Sequence, residues 1–281
     1  MVRQLFWSLC PRRIQGVSRE GGRWWKTDQG PAAVALLKPL DRYAFDLRGY
    51  LLFEGVLDRP TIARLRAAID KQGLPVADET IDRQRFGHHG SLFAWDRAFC
   101  DLIDHPLVVA VLAELIGPQV RLDHAYGITM SPHTSGLTLH GPAEPFDSSQ
   151  YYVHRMGVMR SGLLTVSWAL SDGGAGEGGF GCIPGSHKAS EPLPAGAESL
   201  LIEVPQPAGS LLVFTEALMH CTLPWRGPET RWALLFKYSP GSTAWGASPA
   251  AVPEVVASMS DRQQRFFQPP SVGGRVPTLT P

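Results

Sequence analysis

Three side chains stand out by where they sit. His140 closes the apolar run "LTLH", His220 closes "SLLVFTEALMH", and Arg231, eleven positions after His220, lies inside a further run, "RWALLFKY". An arginine among Trp232, Leu234 and Phe236 is unfavourable to bury unless it meets an anion. Each of the two histidines ends an apolar run and opens a turn, so both can aim into the mouth of a barrel. Two imidazoles plus a carboxylate on one face is the donor set that holds non-haem Fe(II) and leaves positions open for oxygen chemistry. The other histidines invite plainer readings. His105 precedes Pro106 at a helix start, His187 lies in the turn "IPGSHK", and His88 and His89 sit in a polar loop suited to solvent or to substrate contact.

The elements that must position these groups follow from punctuation and periodicity. "LDRPTIARLRAAIDKQG" offers Asp58 as an N-cap, Pro60 in the first turn and Ile62, Leu65 and Ile69 on one face, with Gly73 beyond its end. "DHPLVVAVLAELIGP" repeats the arrangement with Pro106, an apolar face of Val108, Leu112 and Leu115, and Gly117. From Val120 onward short apolar runs alternate with Gly, Pro, Ser and Asp: "VRLDHAYGITM", "GLLTVSWAL", "SLLVFTEALMH", "RWALLFKYSP". Runs of that length predict antiparallel strands in a sandwich or barrel. The fold class is α+β, mainly β, with N-terminal helices buttressing a β core.

Composition bounds the function. The 281 residues are 44% hydrophobic and 19% charged, which suits one domain with a sizeable core. Lys+Arg and Asp+Glu are both 26, so a general nucleic-acid binder, which needs a basic surplus, is not expected. No apolar run is long enough to span a bilayer, so no membrane partner is expected either. The cysteines (Cys10, Cys100, Cys182, Cys221) are scattered without a CxxC pair, which argues against a disulfide framework and for a reduced, cytoplasmic setting. Three segments are expected: an extension over 1–40, a catalytic domain over 41–247, and a Pro-, Ser- and Gly-rich tail over 248–281 packed on it.

"GYLLFEGVLDRPTIARLRAAID", "GEGGFGCIPGSHK" and "AGSLLVFTEALMHCTLPWRGPETRWALLFKYSPG" together resemble the phytanoyl-CoA dioxygenase family. The resemblance runs from about Phe45 to Trp245. It implies a double-stranded β-helix, a jelly-roll relative, with Fe(II), 2-oxoglutarate and O2 as cofactor and cosubstrates. Carried over residue by residue, it makes His140 and His220 iron ligands. Arg231 becomes the anchor for the far carboxylate of 2-oxoglutarate, and Thr222 a hydroxyl beside that carboxylate. The guanidinium fork suits such a bidentate acceptor. Tyr151, Tyr152 and His154 cross a region that lines the pocket in such folds, and Tyr152 is the expected cosubstrate contact among them.

One position departs from the family. Where its motif has Asp or Glu two residues after the proximal histidine, "TLHGPAEPFD" has Pro142, which can ligate nothing. Glu144 or Asp147 could fold back to the iron after the Gly141–Pro142 turn, and Glu144 is the expected third ligand. Otherwise the site is open to a halide, as in related halogenases, or holds no iron. Asp172 and Glu177 are expected to serve their own loop's turns. The activity implied is oxidation of a C–H bond of a small organic molecule by a monomer or homodimer. The alternatives are a radical halogenase and a non-catalytic binding barrel with structural histidines.

Overall fold

The computed structural model describes residues 37–74, 84–141, 147–247 and 250–279. Helices come first. Helix α1 spans Pro39–Arg48, α2 Arg59–Asp70, α3 Leu92–Trp95, α4 Arg97–Asp101 and α5 Pro106–Leu115. Asp58 accepts the Thr61 N–H at 2.9 Å and so caps α2. His105 caps α5 through Nδ1, which accepts the Leu107 N–H at 3.3 Å. Two short helices, α6 (Pro253–Ala257) and α7 (Asp261–Arg265), belong to the C-terminal segment.

Twelve strands lie among the described residues. They are β1 (Tyr50–Phe53), β2 (Gln84–Phe86), β3 (Val120–Met130), β4 (Leu137–His140), β5 (Tyr152–Arg155), β6 (Val158–Ser161), β7 (Leu164–Ala169), β8 (Gly179–Cys182), β9 (Ile202–Glu203), β10 (Leu211–Thr215), β11 (His220–Leu223) and β12 (Arg231–Pro240). A major sheet runs β1-β10-β7-β12-β3-β2 and a minor sheet β4-β11-β8-β9, while among the described residues β5 and β6 pair only with each other. All pairings are antiparallel. This is the double-stranded β-helix expected from the sequence. The chain crosses between the two sheets at β3–β4, β7–β8, β9–β10, β10–β11 and β11–β12.

The main core lies between the major sheet and the helices. It contains Phe45, Leu65, Ile69, Phe99, Ile103, Val108 and Leu112 from the helical layer and its connections, and Val166, Trp168, Leu234 and Phe236 from β7 and β12. Even-numbered residues of β12 thus face the helices, and its odd-numbered residues, Arg231 among them, face the minor sheet. The C-terminal segment closes one end. Arg275 Nη2 and Thr278 Oγ1 both donate to the Val120 carbonyl, at 3.1 and 2.5 Å, and Gln263 Nε2 donates to the Cys100 carbonyl at 2.9 Å. The expected extension over 1–40 falls outside the described residues up to 36. Among the described residues no helix is long and apolar enough to cross a membrane.

Candidate functional site

Between the two sheets lies a cavity of about 80 Å³. The major sheet lines it with Tyr126, Ile128, Ser167, Phe214, Arg231, Leu235 and Lys237, and the minor sheet with Leu137, His140, Gly179, Phe180, His220 and Thr222. Register explains the convergence. His220 pairs directly with His140 across β11 and β4, bringing the ring centroids to 4.3 Å. Thr222 lies two residues along β11, and Arg231 begins β12 opposite Met130. Four of the side chains expected to do chemistry therefore share one cavity.

The two imidazoles are oriented alike. Nδ1 of His140 donates to the Thr138 carbonyl at 2.8 Å, and Nδ1 of His220 donates to the Leu218 carbonyl at 2.7 Å. A carbonyl only accepts, so each Nδ1 carries a proton and each Nε2 is the nitrogen left facing away from the backbone. A backbone carbonyl behind the distal nitrogen is the arrangement that fixes ligating histidines. His220 is buried against Phe214 and Phe180. Burial pushes its pKa down to about 4 against the pull of Glu216, so the ring is neutral near pH 7. His140 stands at the exposed rim.

Arg231 is buried, at 7% exposure, and among the described residues no carboxylate lies within ion-pair distance. Its recorded polar contact is Nη1 to the Met130 thioether at 3.7 Å. Burial lowers its pKa to about 10, which still leaves a full cation at neutral pH. Gly179 makes room for it: a Cβ there would stand 3.1 Å from the Arg231 Nε, at a φ of +90° that L side chains rarely adopt. A buried guanidinium without an acid, open to a cavity, fits an anion supplied from outside.

Other expected residues are placed elsewhere. Tyr152 does not join the cavity, a correction to its expected role. Its strand pairs only with β6, its hydroxyl donates to Asp46 Oδ1 at 2.6 Å, and its ring packs on His187 at 4.7 Å. Burial and the Asp46 carboxylate both raise its pKa, so the phenol is a committed donor. His154 sits on the same acid, 3.6 Å from Asp46. Asp147 caps its own turn, accepting from the Ser149 amide and hydroxyl at 2.8 and 2.6 Å. Glu177 and Asp172 accept the Gly174 and Ala208 amides, at 2.6 and 2.8 Å. Glu144 lies outside the described residues. Among the described residues no three His, Cys, Asp or Glu side chains are already gathered closely enough to hold a metal ion.

Sequence reasoning missed four residues here: Lys237, Glu216, Thr165 and Arg85. Lys237 Nζ pairs with Glu216 Oε1 at 2.9 Å, both buried, and the Thr165 hydroxyl donates to the same oxygen. Burial would raise the Glu216 pKa, but Lys237, His220 and the Thr165 hydroxyl together outweigh it and hold the carboxyl at about 2. At the rim, the exposed Arg85 stacks its guanidinium over Tyr126 at 4.7 Å. The signal was available for Lys237, which shares with Arg231 the odd-numbered face of β12.

Residues 45–233 match the phytanoyl-CoA dioxygenase (PhyH) family, which spans more than half of the sequence. The chain belongs to the phytanoyl-CoA dioxygenase family. It is thereby one of the non-haem iron, 2-oxoglutarate-dependent enzymes, and its residues fit that chemistry: two preset imidazoles for a metal and, for a dicarboxylate, a buried cation with no acid beside it among the described residues. No curated protein matches the chain. Among solved structures it is similar to HygX from Streptomyces hygroscopicus with nickel and 2-oxoglutarate bound. That likeness has 23% identity and a TM-score of 0.66, covering 78% of this chain and 94% of that one. The same protein with nickel, 2-oxoglutarate and hygromycin B gives a TM-score of 0.65 at 23% identity, with the same coverage. The non-haem α-ketoglutarate-dependent epimerase SnoN from nogalamycin biosynthesis matches at 18% identity and a TM-score of 0.59, over 86% of this chain and 98% of that one. At these identities the likeness is one of fold.

Proposed function

We propose that this family member oxidises a C–H bond of a small polar organic molecule, consuming O2 and 2-oxoglutarate and releasing succinate and CO2. The observation that carries the reading is Arg231, a buried cation without an acid among the described residues, sharing a cavity with two histidines whose Nδ1 atoms are each held by a backbone carbonyl. In this reading His140 and His220 hold iron, Arg231 binds the far carboxylate of 2-oxoglutarate, and the Thr222 hydroxyl donates to it. Glu144 remains a candidate for a third ligand. When bound, iron would supply the oxygen chemistry, with 2-oxoglutarate as the two-electron reductant. The chain's own part is positional. Thr138 and Leu218 carbonyls aim the imidazoles, and Phe180 and Phe214 keep water from the buried side of His220.

The substrate side of the cavity is its rim, where Arg85 and His140 meet solvent and the Arg85 guanidinium covers the buried Tyr126 ring. A cation stacked on an aromatic ring suits a polar or acidic molecule. HygX holds hygromycin B, a small molecule, in the matching structure, which is the substrate class proposed here. The three described cysteines are buried and unpaired, which suits a reducing cytoplasm. Halogenation is the second reading, favoured by Pro142 at the usual carboxylate position. The test is succinate formation from 2-oxoglutarate by purified protein with and without Fe(II), followed by mass spectrometry. Metal-dependent succinate supports the reading. Its absence, together with 2-oxoglutarate binding that ignores metal, overturns it. A chloride-dependent product mass would select the halogenase.

A further inference from the structure

We infer that Glu216, four residues before His220, supplies the carboxylate of the metal site with His140 and His220, held in place by Lys237 and Thr165. The inference rests on the reading of the histidines as ligands, and answers a question that reading leaves open. The position two after His140 is a proline and Asp147 is spent on its own turn. A dication on two neutral imidazoles still lacks an anionic protein ligand.

The connection from β10 to β11 supplies one. Its backbone is pinned on both sides: the Glu216 N–H donates to the Leu163 carbonyl at 2.9 Å, and the Leu218 N–H to the Thr215 carbonyl at 2.9 Å. The Glu216 side chain is buried and lines the same cavity as His140 and His220. One carboxylate oxygen, Oε1, is taken by Lys237 and Thr165. The other, Oε2, stands 3.8 Å from Nε2 of His220, too far for a hydrogen bond. Nδ1 of His220 is committed to the Leu218 carbonyl, which turns Nε2 toward that oxygen and sets the two atoms on either side of a 3.8 Å gap.

The three side chains are not gathered round one point, but the Glu216–His220 spacing is close to what an ion between them needs. Ligands at about 2.1 Å and a right angle hold N and O about 3 Å apart. From 3.8 Å, Glu216 closes by less than about 1 Å, a swing within one side chain. Each of the three ligands then has its own outer partner: the Thr138 carbonyl for His140, the Leu218 carbonyl for His220, and Lys237 with Thr165 for Glu216. Ligating carboxylates are themselves hydrogen-bonded in this way. Lys237 is a positioning residue and touches no ion.

The experiment is anaerobic titration of the metal-free full chain with Co(II), read by visible absorption and calorimetry. Wild type and Glu144→Ala are expected to bind within a few-fold of one another. Glu216→Gln combined with Lys237→Met, which replaces the buried ion pair by neutral groups, is expected to bind about 10- to 100-fold more weakly with a shifted cobalt band. Glu216→Asp keeps the charge beside Lys237, and hence the fold, and is expected to lose about tenfold through its shorter reach. Wild-type affinity in both Glu216 variants overturns the inference, as does a comparable loss in Glu144→Ala alone. If the wild-type chain binds no Co(II), the reading of the histidines as ligands falls first, and this inference with it.

Discussion

The two ends of the β3–β12 ribbon each bury an arginine, and the two are solved differently. At one end Arg121, on β3, meets Asp123 at 2.8 Å. Asp123 is fully buried and also accepts from His124 at 2.7 Å, the Trp245 amide at 2.8 Å and the Gly246 amide at 2.9 Å. At the other end Arg231, on β12, has Met130 beside it and no acid among the described residues. The sheet, the strand pair and the residue type are shared. What differs is whether the chain completes the charge itself. An arginine with its own carboxylate ties a segment down, whereas one without a carboxylate leaves a place for a ligand.

The largest expected effects set the two ends against each other. Asp123→Ala leaves Arg121 unpaired and frees the Trp245–Gly246 segment, so it is expected to destabilise the protein by about 3–5 kcal/mol, measured by denaturant unfolding. Acid should act on the same end. Burial would raise the Asp123 pKa, but its bonds to His124, Trp245 and Gly246 lower it below 3.8. Its stability contribution is therefore complete above pH 3.8 and is lost as pH falls through the lower folded value. Asp123→Asn should flatten that part of the acid limb. Arg231→Ala is expected to do the reverse, leaving unfolding nearly unchanged while weakening 2-oxoglutarate binding by about 2–5 kcal/mol. Arg231→Lys restores charge without the fork, so only part of the affinity should return. If Arg231→Ala unfolds the chain and spares 2-oxoglutarate, both ends are structural and the comparison fails.

The pairing at the Asp123 end was not legible in the sequence. "VRLDHAYGITM" reads as a strand, and β3 occupies Val120–Met130, but nothing local says that Asp123 meets amides of residues 245 and 246. The Arg231 end was legible because its anomaly is local: a charge on a run of apolar neighbours. The strand runs were readable for the same reason, since an apolar period of two is set by neighbours along the chain. Tyr152 failed the other way. Its run looks like the strands around it, yet it pairs with β6 alone and its phenol is held by Asp46, 106 residues away. Glu216 was hidden inside an apolar run, "FTEALMH", where its only local mark is the spacing to His220.

A smaller effect sharpens the comparison at Arg231 itself. Gly179 faces its Nε, and an alanine there adds a methyl at 3.1 Å together with a strained φ of +90°. Gly179→Ala is expected to cost about 1–2 kcal/mol of stability and to raise the 2-oxoglutarate requirement several-fold by displacing the guanidinium. A loss of stability with an unchanged requirement would show that Arg231 tolerates the shift, and would weaken its assignment as the anchor.

The smallest effect concerns Thr222. It lies two residues after His220 on β11, opposite Phe180, and lines the cavity that Arg231 shares. Alternation along a strand places residues two apart on one face, so the hydroxyl is directed to the same space as the His220 ring. If it donates to the carboxylate that Arg231 binds, Thr222→Val removes one hydrogen bond while keeping the branched shape the strand prefers. A neutral donor of this kind contributes about 0.5–1.5 kcal/mol, so 2-oxoglutarate affinity should fall a few-fold, far less than for Arg231→Ala. Thr222→Ser, which keeps the hydroxyl, should bind as wild type does. Competition binding at fixed metal separates the outcomes. Equal affinity for valine and threonine would remove Thr222 from the cosubstrate site and leave the carboxylate to the guanidinium alone.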